Sequence, residues 1–251
     1  MAHSAISVTA APARSLRWPV VGLLSIGVII AYIGRINLSF ALPEMSRTFG
    51  LSPQASGLLL SAFFWSYALL QVPMGWLVDR FGVRRTYAFC FLSWCLTSSA
   101  TALASSFAGL LAVRILLGAF QAIVTPASMR YIRSQFAERQ RGLAIGIYMA
   151  GTKYGPAVGG PIAAYLIAAS GWQGMFLITG AGFLVWLLPF LLMVRTDDDA
   201  VSPQPLASSA GPSLSWRAIL TTPVMWGTFL ATFCYMYFVY FCMTWMPLYF
   251  K

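Results

Sequence analysis

Seven stretches of the chain stay apolar for longer than a soluble helix needs, and they decide its architecture. They cover about residues 19–41, 54–78, 86–106, 109–130, 142–168, 174–194 and 222–247, called segments 1 to 7 below. A hydrocarbon core about 30 Å thick takes about 20 apolar helical residues to cross. Barrel strands run about ten residues with alternating polarity, which these continuous runs do not. Lipid offers no water to free backbone groups, so helix is the form left to them. The pattern predicts an all-α integral membrane protein. It has a cytoplasmic leader at 1–18, a six-helix bundle at 19–195, a cytoplasmic linker at 196–216, and at 222–247 the start of a second, incomplete bundle. The leader is small, polar and basic, and the apolar run after it is longer than a signal-peptide core and carries Arg35.

Composition narrows the class further. The chain is 59% hydrophobic and 9% charged, against about 25% charged in soluble domains. Its net charge of +10 comes from 16 Lys and Arg against 6 Asp and Glu. With the leader inside, the inner side collects Arg14, Arg17, Arg80, Arg84, Arg85, Arg130, Arg133, Arg139, Arg141, Arg195 and Arg217, while the outer side holds Arg47 and Lys251. That asymmetry is the positive-inside bias, so the charge reports topology, and no nucleic-acid partner is expected. A multi-pass protein of the cell membrane with a cytoplasmic N-terminus follows, its surroundings the lipid bilayer. The one histidine, His3, lies in the leader, and Cys90, Cys95, Cys234 and Cys242 fall in apolar segments without metal spacing. No metal, no cofactor and no enzyme chemistry is expected, since no intramembrane histidine or carboxylate supplies a base.

Three cations remain at membrane depth: Arg35, Arg114 and Lys153. A cation at a helix centre costs at least about 2.5–3.5 kcal/mol on insertion scales, so each needs a cavity, an acceptor or a route to the interface. Lys153 is eleven residues into segment 5, about 16 Å deep. Their neighbours favour a cavity. In segment 4, Arg114, Gly118, Gln121, Thr125 and Ser128 recur at helical spacing and share one face. Ser25, Tyr32, Arg35 and Ser39 do so in segment 1, and Tyr67 and Gln71 lie one turn apart in segment 2. Guanidinium forks grip carboxylate or phosphate at two points, so the expected ligand is a small organic anion. Arg35, Tyr32, Tyr67, Gln71, Arg114, Gln121 and Lys153 are the candidate binding residues. No acid falls at mid-membrane: Glu44 lies outside, Asp79 and Glu138 inside, and Asp197, Asp198 and Asp199 in the linker.

Two further runs carry conformational chemistry. From Gly75 the chain reads GWLVDRFGVRR, placing Asp79, Arg80, Gly82, Arg84 and Arg85 at the inner end of segment 2. A carboxylate at a helix end, a glycine turn and several guanidiniums suit a charge latch whose contacts differ between two states. Asp79 is free to pair with an arginine or to cap a helix. In segment 5, Gly151, Gly155 and Gly159 form a bare face for close helix packing. Pro156 and Pro161 invite a bend, and Lys153 points about 200° from the glycine face.

These runs carry a resemblance. Gly75 to Arg85 resembles the signature loop of the major facilitator superfamily, and Arg114-Ile-Leu-Leu-Gly118 resembles its helix 4 motif. YIGRINLS at 32–39, AFFWSYALLQVPMGW at 62–76, Arg130 and TWMP at 244–247 are similar to the organic anion (anion:cation symporter) permeases of that superfamily. These include sugar-acid carriers and the sialic acid and vesicular glutamate carriers. The resemblance implies two six-helix bundles, of which this chain holds the N-terminal one, the linker and the first helix of the second. It implies that Arg35 is the anion-binding arginine, supported by Tyr67 and Arg114, with alternating access and a coupling proton or cation. Where the family often has carboxylates, this chain has Gly34 and Gln121, which puts proton symport by the usual route in question. Secondary transport of a carboxylate such as a sugar acid is the leading expectation. A drug or metabolite antiporter, suggested by the segment 5 glycines, is the alternative, and a seven-helix receptor is a more distant one.

Overall fold

The helical stretch Glu138–Met193 is 56 residues long, about 84 Å if it were straight, against a hydrocarbon core of about 30 Å. It therefore has to turn back, and it does so at Gly171, whose φ of 70° and ψ of 176° interrupt the helix. That backbone region suits glycine, because a Cβ there meets the flanking peptide. In the computed structural model, residues 17–195 and 221–249 are described. The expected linker at 196–216, nearly all of the leader, and Arg14, Arg217 and Lys251 lie outside the described residues.

The helices are α1 (Arg17–Phe49), α2 (Pro53–Phe81), α3 (Val83–Ala100), α4 (Phe107–Gln121), α5 (Val124–Gln135), α6 (Glu138–Phe183), α7 (Leu187–Met193) and α8 (Pro223–Tyr249), with short 3-10 turns at Thr101–Leu103 and Leu184–Trp186. The chain is all-α, with segments 5 and 6 forming the two arms around Gly171. Segment 4 forms one span, Phe107–Gln135, as expected, with a short break in its regular helix at 122–123 between α4 and α5. Pro126 explains the break, since proline has no N–H for the carbonyl four residues back, at Ala122, and its ring crowds it. Conversely, helix α6 continues through Pro156 and Pro161. The α1 helix also runs well past the expected end at 41, to Phe49.

The glycine face packs as its spacing predicts. A methyl group on Gly151 would lie 2.5 Å from Val28, on Gly155 2.6 Å from the Tyr32 Cβ, and on Gly159 2.9 Å from Ile33. Only hydrogen atoms there let α6 lie against α1 this closely. Ser25 reinforces the contact by donating to the Ile147 carbonyl at 3.0 Å. Between α2 and α4, Gly118 serves the same purpose, because a methyl group there would overlap the Phe63 carbonyl and Ser66.

Side chains inside the bundle divide into two apolar clusters. One holds Leu24, Val28, Tyr87, Phe91, Trp94, Leu117, Tyr148, Trp186 and Phe190. The other holds Leu38, Leu42, Met45, Leu59, Leu110, Trp172 and Phe176. On α1, Arg35 falls between the residues of the two clusters, and on α4 Arg114 falls between Leu110 and Leu117. Both arginines therefore occupy the seam between two greasy layers.

Candidate functional site

At that seam, Arg35 on α1 is half-buried and lies among aromatic faces. Its guanidinium carbon is 4.5 Å from the Tyr32 ring centroid, 4.4 Å from Tyr67 and 5.3 Å from Phe63. Cations over ring faces gain about 0.5–2 kcal/mol each as water is excluded. The rings also hold the side chain still, with Phe63 and Tyr67 stacked at 5.6 Å. Arg35 Nε donates to Gln121 Oε1 at 3.2 Å, which ties α1 to α4.

Gln121 is fully buried, and its Nε2 has no hydrogen-bond partner. Facing it is Gly34, where a methyl group would sit 3.4 Å from that nitrogen. The two positions where the resembling carriers often have carboxylates thus meet across α1 and α4, and both are uncharged here. Further along the same stripe, Thr125 lies close to Tyr67 and Tyr148, and Tyr67 lies close to Gln71. One face of segment 4 therefore supplies polar partners at several successive levels.

Arg114 is 3% exposed, and its Nη2 is buried without a hydrogen-bond partner. Its nearest aromatic company is Phe176, 5.6 Å from the guanidinium carbon. Arg35 and Arg114 line one cavity of about 30 Å³, together with Ser39, Tyr32, Phe64 and Tyr240. That is room for about two waters.

Of the seven expected binding residues, six belong to this assembly: Arg35, Tyr32 and Arg114 line the cavity, Gln121 and Tyr67 hold Arg35, and Gln71 sits behind Tyr67. Lys153 does not join them. It is exposed on α6 and donates to the Tyr235 hydroxyl on α8 at 2.7 Å. The glycine face turns toward α1, so a residue two positions away is directed elsewhere. Sequence reasoning missed Tyr240, which closes one side of the cavity from α8 and meets Phe64 edge-on at 4.7 Å. One more aromatic in a segment full of them carries no distinguishing signal. Phe63 and Phe64 lay inside a motif already noticed, yet nothing singled them out.

At the other end of the bundle, Asp79 pairs with Arg130, joining α2 to α5. This is the arginine-pairing option for Asp79. Gly82 turns the chain with φ 84° between α2 and α3. Arg84 donates to the Leu191 carbonyl at 3.1 Å, and Arg80 lies over the Trp76 ring. A methyl group on Gly75 would be 3.9 Å from Pro126, an ordinary contact. Arg141 closes the end of α5 by donating to the carbonyls of Phe136 and Arg133 at 2.9 and 3.0 Å.

The sequence profile of the Major Facilitator Superfamily matches residues 24–251. The chain belongs to this superfamily. Among curated superfamily proteins it is similar to the galacturonate transporter of Dickeya chrysanthemi, 31% identical over 74% of this chain and 54% of that protein. It is also similar to the D-galactonate transporter of Escherichia coli O6:H1, at 32% over 73% and 43%. A probable chloroplastic anion transporter of Arabidopsis thaliana is 29% identical over 94% of this chain and 48% of its own. The chain spans about half the length of these relatives. A crystal structure of a bacterial homolog to the human lysosomal transporter Spinster, inward-facing and unoccupied, shares the fold. It has a TM-score of 0.66 and 24% identity, covering 74% of this chain and 44% of that one. The all-α bundle is thus the N-terminal bundle of a major facilitator protein.

Proposed function

We propose that the chain forms the first bundle and opening helix of a secondary transporter for small organic carboxylates, with sugar acids as the leading substrates. The observation that carries this reading is the Arg35 guanidinium, held by Gln121 and three aromatic rings beside a cavity that also contains Arg114. A fixed fork of donors in a water-poor seam binds carboxylate through charge-assisted hydrogen bonds. Lipophilic cations meet like charge there, which disfavours the drug-antiporter alternative. Similarity to galacturonate and galactonate transporters supports the same substrate class.

The cavity of about 30 Å³ is far below the roughly 300–1,000 Å³ of small-molecule sites, so a sugar acid enters only if a wall moves. Helix α8, which brings Tyr240, is the one wall that does not belong to the first bundle. Rocking it away from α1 opens the site to one side, and breaking the Asp79–Arg130 latch loosens the other. That is alternating access in outline. In this reading the latch end is cytoplasmic, the protein sits in the cell membrane with its N-terminus inside, and the cargo binds at mid-membrane.

Arg35→Gln in the complete transporter tests the proposal. Charge-assisted bonds are worth about 1.5–3 kcal/mol, so uptake efficiency for galacturonate should fall on the order of 10- to 150-fold at equal membrane abundance. Uptake within about threefold of the parent would remove Arg35, and this function with it.

A further inference from the structure

Arg35 and Arg114 face the same cavity, yet no carboxylate joins them. Among the described residues the acids are Glu44, Asp79 and Glu138, all exposed and away from the seam. The groups that do surround the two guanidiniums are neutral: Tyr32 and Ser39 from α1, Phe63 and Tyr67 from α2, Gln121 from α4, Tyr240 from α8. Gly34 contributes no side chain, and Gln121 contributes an amide. The half-site formed by these helices therefore carries two positive charges and no counter-charge. Arg114 makes this acute, being 3% exposed with a terminal nitrogen that finds no acceptor. A buried cation without a partner is costly, and an acceptor supplied by the cargo removes that cost.

Placement of the two charges sets the shape of the cargo. Arg35 reaches the cavity from α1, tied there to Gln121, while Arg114 reaches it from α4, about two turns before Gln121. Each guanidinium brings its own set of donors to the cavity, so two acidic groups match the two charges. We infer that the site selects a dianion of sugar-acid size, with one acidic group at Arg35 and a second at Arg114, over the corresponding monoanion. This deepens the organic-carboxylate reading and rests on it.

The test uses the complete transporter in proteoliposomes at neutral pH, with two six-carbon competitors of matched size: galactarate, acidic at both ends, and galacturonate, acidic at one. Galactarate is expected to inhibit at least about tenfold more strongly, the gain of one further charge-assisted contact. In Arg114→Gln the ratio of the two inhibition constants should fall to within about twofold of unity, and Arg114→Lys should restore part of the preference. A ratio is insensitive to how much variant protein reaches the membrane. Equal or weaker inhibition by galactarate in the parent overturns the inference while leaving carboxylate transport standing. A preference that survives Arg114→Gln overturns it as well. Inhibition by neither compound removes the carboxylate reading and this inference together.

Discussion

A single methyl group on Gly155 tests how the site is held together. Replacing Gly155 with alanine puts a carbon 2.6 Å from the Tyr32 Cβ and 3.0 Å from the Ile29 carbonyl oxygen, against ordinary contacts of 3.4–4 Å. Helix α1 then has to retreat by most of an ångström, since both atoms struck are fixed by its backbone. Such overpacking costs about 1–3 kcal/mol. The same helix contains its own control, Gly146, which has nothing within 4 Å of an added methyl group. Both substitutions gain the same intrinsic helix preference of about 0.5–1 kcal/mol, so the difference between the variants isolates the collision. At roughly 2–4 °C per kcal/mol for chains of this size, Gly155→Ala should melt about 2–12 °C below Gly146→Ala. Thermal unfolding of the two purified variants, followed by loss of the monodisperse peak in detergent, reads this directly. Uptake should also fall in Gly155→Ala, because the carbon struck carries the Tyr32 ring that lies over Arg35. Indistinguishable melting of the two variants would refute the close α1–α6 contact and the reason given for the glycine face.

Other consequences follow from single contacts. Trp186→Phe removes the bond from its Nε1 to the buried Leu23 carbonyl at 2.9 Å and should lower stability by about 1–3 kcal/mol, measured by the same melting assay. Gln121→Glu places a carboxylate against Arg35, where it competes with the cargo. Uptake by this variant should therefore fall relative to the parent at equal membrane abundance, and unchanged uptake would contradict the pairing. Asp79→Asn breaks a solvent-exposed ion pair with Arg130, so melting should change by less than about 1 kcal/mol. Labelling of cysteines introduced at the two ends of the cavity should nonetheless shift, and the exchange Asp79→Arg with Arg130→Asp should reverse the shift.

Much of the fold was legible in the residues. The seven apolar segments emerged because the bilayer imposes a length and forbids bare backbone, two constraints that composition alone reveals. Segment 4 displayed its polar stripe because helical spacing converts sequence intervals into faces, and Gln121 does bond Arg35 from that face. The glycines of segment 5 announced a close contact for the same reason, but their partner was open until α1 was seen against them. Lys153 shares the depth and charge of the two arginines, but helical spacing sends it away from the glycine face, and its neighbour is Tyr235 on α8 rather than the Arg35 cluster.

What the sequence by itself determined was therefore what local geometry carries: the long apolar helices, the faces that are polar or bare, and the concentration of arginines at one end. Only the tertiary structure decided which faces meet. It set Arg35 against Gln121 and three rings, brought Gly34 to the same point, placed Tyr240 as a wall, and left Arg114 buried beside the cavity without an acceptor. The physical reason is that a helix fixes each side chain relative to its own axis, whereas the pairing of axes depends on packing summed over many residues far apart in the chain.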